Sequence, residues 1–378
     1  MNSGALAQLD TPAVVVEQKV LSDNIRSAQS LANRHGVALR PHIKTHKCFD
    51  IARLQLAAGA VGITASKPEE ALKFIGAGFR SITVAYPVVS SSKLIPLLQA
   101  ARANSVDLRI IVDSEVGLTV LKDSAATAAF QPGVLLKIDV GLDRVGVAAD
   151  SEELIRLGHA IVTTPSLRFV GLLSHAGHAY GATGEAEIRQ IAREEARLLG
   201  VACERLNSIG LGVREVSVGS TPTLLASDCY DGITEIRPGN YVFMDRTPVR
   251  LGLITTDRVA LSVIATVVSV SNDYLIIDAG SKVLSSDLGA HGTGVADGFG
   301  IAYPFDRYRD VGAAAPIAKL SEEHGFIPRS AAFGHIGDKV RIIPNHACPV
   351  VNLADELAVV YEDGSLGSWR VDARGTVH

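Results

Sequence analysis

Cysteine is scarce in this chain: Cys48, Cys203, Cys229 and Cys348 are scattered over 378 positions. Four so spaced cannot make a disulfide framework for a chain of this length, and they fit a reducing compartment, the cytoplasm. A dominant charge is lacking too. The 36 Lys and Arg nearly match the 40 Asp and Glu, a formal net charge of −4. No basic run interleaved with aromatics occurs, which argues against nucleic acid or an anionic membrane as partner. No apolar run approaches the roughly 20 residues of a membrane span, and the opening MNSGALAQLD has neither the basic flank nor the apolar stretch of an export signal. What remains is the composition of a soluble globular protein, 47% apolar. It can bury a large core and divide into two domains, or a barrel with an appendage. A small molecule is the partner this composition favours.

Eight β-rich runs punctuate the first two thirds: GVALRPHIK, VGITAS, SITVAYP, LRIIVDS, VLLKIDVG, LRFVGLLSHAG, EVSVGST and TEIRPGNYVF. Between them lie segments such as KPEEALKFIGAG and IRQIAREEARLLG, whose apolar residues recur at three and four and whose ends carry glycine, the signature of helices. Eight strands alternating with helices predict an α/β fold, a (β/α)8 barrel over 22–246. From about Arg250 the texture changes to β-branched runs joined by Gly, Pro and Asp turns, RVALSVIATVVSV, YLIIDAG, KVRIIPNHA and ELAVVYEDG, with hardly a helical stretch. These predict a second, mostly β domain over 247–378. The opening TPAVVVEQ would be a ninth run, so 1–21 are assigned to that domain as well.

Barrel enzymes keep their reactive groups at the C-terminal ends of the strands, and phosphates often sit on the loops after strands seven and eight. At those two places stand VGSTPT, with Gly219, Ser220 and Thr221, and RPGNY, with Gly239 and Asn240. Glycine permits close backbone approach, and amides and hydroxyls there can donate to an anion. At the end of the first run, PHIKTHK sets Lys44 where a barrel mouth, expected to be otherwise apolar, could desolvate its amine into a nucleophile. Lys47 is expected to face solvent. Gly-Ser-Thr turns and loop lysines are commonplace, but a lysine beside a candidate phosphate site points to pyridoxal phosphate, whose aldehyde forms an imine with an amine. In PNHACP, His346 and Cys348 stand two apart on a predicted strand end, so their side chains should share a face. Imidazole and thiolate together suit zinc, although an isolated His-x-Cys also arises by chance.

LDTPAVVVEQ, LRPHIKTHK, KIDVGLDRVGV, LSHAGHAYG, SVGSTPT, RPGNYVFMD and IIPNHACPVVNL together resemble the metal-dependent D-serine dehydratase and D-threonine aldolase family. These are fold-type III pyridoxal-phosphate enzymes with an alanine racemase-like barrel. The likeness runs nearly end to end. It implies that Lys44 carries the Schiff base and that Arg144 meets the cofactor's phenolic oxygen. It places His175 and Tyr180 by the pyridine ring and its nitrogen, and Ser220, Thr221, Gly239 and Asn240 on the phosphate. Read without the family, Arg144 could equally pair with Asp139 or Asp143, and His175 is an ordinary core histidine. The resemblance further implies a divalent metal, zinc or else manganese, cobalt or magnesium, on His346 and Cys348. A cysteine at the second position is similar to the dehydratases, whereas the aldolases characteristically show His-x-Asp. Relatives of this type pair as homodimers.

The expected substrate is a small D-3-hydroxy amino acid. Lys44 would take the α-proton and the β-hydroxyl would depart with help from the metal, so that D-serine would give pyruvate and ammonia. The alternatives are retro-aldol cleavage of D-threonine to glycine and an aldehyde, and a dehydratase or aldolase acting on D-3-hydroxyaspartate. A racemase would leave PNHAC without a task. A carrier that stores pyridoxal phosphate on Lys44, and a metal-dependent barrel hydrolase without that cofactor, are the readings of a different kind.

Overall fold

The computed structural model describes residues 3–289, 296–329 and 333–378. The chain forms two compact units, one of Ser27–Lys44, Ile51–Gly239 and Gly375–His378, the other of Met1–Arg26, Thr45–Asp50 and Asn240–Arg374.

The first unit holds eight strands: Ala38–Leu39, Ile63–Ala65, Ser81–Val84, Asp107–Val112, Gly133–Lys137, Arg168–Leu173, Glu215–Val218 and Glu235–Ile236. All neighbours are parallel, and the second to eighth run in chain order, with the first against the eighth. The sheet curls until its edges meet. The Val61 amide donates to the Leu39 carbonyl (2.9 Å), the Thr64 amide to that of Pro41 (2.8 Å), and His42 bridges Thr64. The predicted eight-stranded barrel is therefore present. Its strands are buried on both faces, as in Gly133–Lys137, where every residue is buried, and so they read as continuous apolar runs rather than alternating ones. Local signals start the helices between them. Pro68–Gly76 opens on a proline with Glu69 and Glu70 in its first turn, and Ser151 caps Glu152–Val162 by accepting the Leu154 amide. Ile111, Leu135, Val170 and Leu173 form an apolar cluster, each worth about 1.5–3 kcal/mol when fully buried.

The interior is not apolar throughout. Arg40 and Glu235 pair at 2.6 Å with side chains 3% and 4% exposed. Arg237 donates to the Ser174 carbonyl and the Ser217 hydroxyl, Ser174 donates to Glu195 at 2.6 Å, and the Lys137 amine meets the Ile138 carbonyl at 3.0 Å. Buried charge survives only when paired and hydrogen-bonded, so these residues form a network.

The second unit is a ten-stranded sheet. Leu261–Val270 lies between Ala13–Glu17 and Lys339–Ile343, antiparallel to both, and Ala13–Glu17 also runs parallel to Glu356–Val360. A bulge between Val267 and Ser269 lets Leu261–Val270 also pair with Tyr274–Ile277. Short helices interrupt the strands, notably Ala347–Leu353. That helix corrects the expected geometry of PNHACP. The strand stops at Ile343, Pro344 has no amide to continue a ladder, His346 becomes the helix N-cap, and Cys348 sits in the first turn. They are therefore not alternate positions of a strand.

Candidate active site

In the barrel unit, Lys44 is half-buried in the 3-10 turn Ile43–Thr45 that follows the first strand. The His42 amide donates to the Pro238 carbonyl at 2.9 Å, which registers this turn against the loop carrying Gly239. Lys47, expected in solvent, is instead 5% exposed. It adopts a left-handed backbone (φ 49°), and its carbonyl accepts the Ala373 amide at 3.0 Å. Packing of the chain's last residues onto the heptad is long-range and leaves no local signal.

Arg144 is exposed on the loop after the fifth strand. That loop is shaped by Asp139, whose Oδ1 accepts the amides of Gly141, Leu142 and Asp143, each at 3.2 Å. His175, after the sixth strand, is half-buried, and its Nδ1 lies 2.8 Å from the Gly219 carbonyl. A carbonyl only accepts, so Nδ1 carries the proton. Tyr180 is buried, and its hydroxyl accepts from the Thr221 amide at a long 3.4 Å.

Gly219 has φ +137°, and a Cβ there would lie 2.7 Å from the Arg237 amide nitrogen, so only glycine fits. The next two residues differ in kind. Ser220 forms a capping box with Thr223: its hydroxyl accepts the Thr223 amide (3.2 Å) and its own amide donates to Thr223 Oγ1 (3.1 Å). Thr221 Oγ1, by contrast, is buried with no partner among the described residues. An orphaned donor beside a side-chain-free glycine fits an anionic oxygen of a cofactor phosphate. Gly239 closes the barrel unit and Asn240 opens the other. There the Asn240 side chain donates to Asp245 Oδ2 at 2.7 Å.

In the β unit, His346 and Cys348 interact directly: the thiolate and a hydrogen bond to it both favour the protonated imidazole. Burial opposes that charge, yet Cys348, Asp287 and Asp245 outweigh it and push the His346 pKa up to about 10. His346 Nδ1 lies 2.8 Å from Asp287 Oδ2, and Cys348 Sγ lies 3.2 Å from Thr45 Oγ1. Thr45 follows Lys44 in the chain. Among the described residues no group of three or more His, Cys, Asp or Glu is placed to hold one ion. A metal on this pair would thus have two protein donors, with its other positions left to water or substrate.

Sequence reasoning missed several of these groups. Lys137 ends an apolar strand and is 4% exposed; burial, then Arg237 and Arg144, lower its pKa to about 7 against the pull of Glu195. A lysine closing VLLK is its only sequence signal. Arg237, buried beside Glu195, was legible only as part of RPGNY. Asp287 and Asp245 carry no local signal.

Comparison with known proteins matches residues 16–247 to the alanine racemase N-terminal domain and 260–360 to the serine dehydratase domain. The chain is 33% identical to the D-threo-3-hydroxyaspartate dehydratase of Delftia sp., covering 96% of this chain and 97% of that one. It is 32% identical to the D-threonine aldolase of Arthrobacter sp. (98% and 94%) and 32% identical to the D-serine dehydratase of Dictyostelium discoideum (97% and 97%). The solved structure of the Delftia enzyme superposes with a TM-score of 0.88 over 97% of this chain and 98% of that one. Solved variants of that enzyme replace a histidine and a cysteine two positions apart by alanine, the cysteine variant in a metal-free form. The chain therefore belongs to the alanine racemase-like family of pyridoxal-phosphate-dependent lyases whose members include D-serine dehydratase, D-threonine aldolase and D-threo-3-hydroxyaspartate dehydratase.

Proposed function

We propose that this chain is a lyase for small D-3-hydroxy amino acids that eliminates the β-hydroxyl, giving a 2-oxo acid and ammonia. The observation that carries this reading is the His346–Cys348 pair. Overall identity does not discriminate, because a dehydratase and an aldolase stand at 33% and 32%. The cysteine does, since the aldolases of the family characteristically place an aspartate there.

Lys44 would be the anchor for the cofactor aldehyde and its amine the base for the α-proton. A primary amine half-buried at a strand end is suited to both tasks. Arg144 supplies a permanent positive charge for the phenolic oxygen. His175 is held by Gly219 through Nδ1 and keeps its imidazole against the cofactor ring, with Tyr180 at the ring nitrogen. Thr221 donates its hydroxyl to the phosphate and Gly219 and Gly239 leave room for it, while the side chains of Ser220 and Asn240 are engaged with Thr223 and Asp245. Bound pyridoxal phosphate supplies an electron sink for the charge left at Cα. A divalent ion on His346 and Cys348, zinc by the chemistry of the donors, supplies Lewis acidity toward a hydroxyl leaving group. For D-serine, one water is lost on elimination and one regained on hydrolysis of the imine, so the net products are pyruvate and ammonia. We further propose that the enzyme is cytoplasmic, where its four thiols would stay reduced, and that it is a homodimer.

The test is a product assay with D-serine, D-threonine and D-3-hydroxyaspartate in the presence of Zn²⁺ or Mn²⁺. A 2-oxo acid with ammonia as the main products supports elimination. Glycine with an aldehyde would overturn it in favour of the aldolase reading.

A further inference from the structure

His346 is gripped from both sides of its backbone and through its ring. Asp287 Oδ2 faces Nδ1 at 2.8 Å. Asp287 does not float in its loop. Its Oδ1 accepts the Gly289 amide (3.2 Å), its amide donates to Ser285 Oγ (3.2 Å), and its carbonyl accepts Asn345 Nδ2 (3.2 Å). Asn345 precedes His346 and is itself fixed, donating to the Gly298 carbonyl at 2.9 Å and accepting from Arg246 at 3.2 Å. On the following side, the amide of Ala347 donates to Asp245 Oδ2 at 2.9 Å, and Asp245 is 0% exposed. The aspartate that meets the imidazole is thus tied to the same short stretch of chain that carries it.

We propose that Asp287 is a positioning residue for the metal: it holds the His346 ring with Nδ1 as the donor, so that Nε2 is the ligating nitrogen, and it thereby sets the affinity of the pair for a divalent ion. This rests on the reading of His346 and Cys348 as metal ligands. A carboxylate can only accept, so the tautomer with Nδ1–H is the one it selects. The partial withdrawal of that proton makes Nε2 a better donor, and the carboxylate's charge offsets part of the ion's. Partners of this kind are worth about 10- to 100-fold in metal affinity. A site with two protein donors among the described residues depends on that more than a closed one.

The test measures Zn²⁺ affinity by competition with a chromophoric chelator on cofactor-loaded protein, for wild type, Asp287→Asn and His346→Ala. The Asn variant keeps the size of the side chain but has one oxygen where Asp287 uses two, one for Gly289 and one for the ring. It can offer the ring only an uncharged oxygen, or an NH₂ that forces the wrong tautomer. The expected result is about a 10- to 100-fold loss for Asp287→Asn at an unchanged melting temperature, with the thiolate-to-metal bands of the Co²⁺ form retained at saturation. If Asp287→Asn binds as tightly as wild type while His346→Ala binds weakly, the role of Asp287 is overturned and the metal pair stands. If His346→Ala also binds as tightly as wild type, the metal reading itself fails.

Discussion

Lys44, Lys47 and Lys137 are separated by their surroundings. Lys44 is half-buried at a strand end. Lys47 is buried with its backbone in the left-handed region. Lys137 lies deep among Arg237, Arg144 and Glu195. Burial lowers the Lys137 pKa from 10.5 to about 7, so between those values the unfolded chain holds a proton that the folded chain has released. Its contribution to stability therefore rises with pH through that window. Unfolding of Lys137→Met measured at pH 7 and pH 9 should show a flatter pH dependence than wild type; an unchanged slope would mean that the amine is charged in the fold. At the phosphate loop, Gly219→Ala places a Cβ 2.7 Å from the Arg237 amide in a backbone conformation that disfavours side chains. It is expected to lose pyridoxal phosphate on dialysis, read from absorbance. Thr221→Val, which removes only the orphaned hydroxyl, should weaken cofactor binding by roughly five- to tenfold, about 1–1.5 kcal/mol.

At the scale of elements, the sequence was most legible where a single physical rule dominates. Strands buried on both faces advertise themselves as apolar runs, which is why all eight barrel strands could be read from GVALR to TEIRP. Ser151 and Pro68 mark helix starts for equally local reasons. The heptad and the proposed phosphate loop can be singled out because a barrel assigns meaning to strand ends. The charged interior cannot: Arg40 and Glu235 are 195 positions apart in the chain and meet only through barrel closure. PNHACP reads as a strand end, whereas Pro344 stops the ladder and the Ala347 amide at the helix start is taken by Asp245, about a hundred residues upstream. Asp245 also accepts the Thr247 amide and the Asn240 side chain. Asp245→Ala would leave those donors buried without an acceptor. The expected cost is about 3 kcal/mol or more of stability, visible as a lowered melting temperature that the surface replacement Glu323→Ala would not produce.

For the molecule as a whole, a cofactor on the barrel unit and a metal on the β unit would both serve one lyase reaction. Chelation should separate their contributions. EDTA is expected to abolish formation of 2-oxo acid while leaving the cofactor's absorbance in place, and Zn²⁺ should restore turnover. Loss of colour together with activity would mean that the ion supports the fold or the cofactor instead. Sedimentation of the purified protein should give twice the 39.8 kDa of one chain, and a fully active monomer would contradict the homodimer. All of this depends on which amine carries the cofactor, and one measurement addresses that directly. Borohydride reduction of the cofactor-loaded protein, followed by proteolysis and mass spectrometry, should find the pyridoxyl group on the peptide containing Lys44. A label on Lys47 or Lys137, or on no lysine at all, would contradict the account.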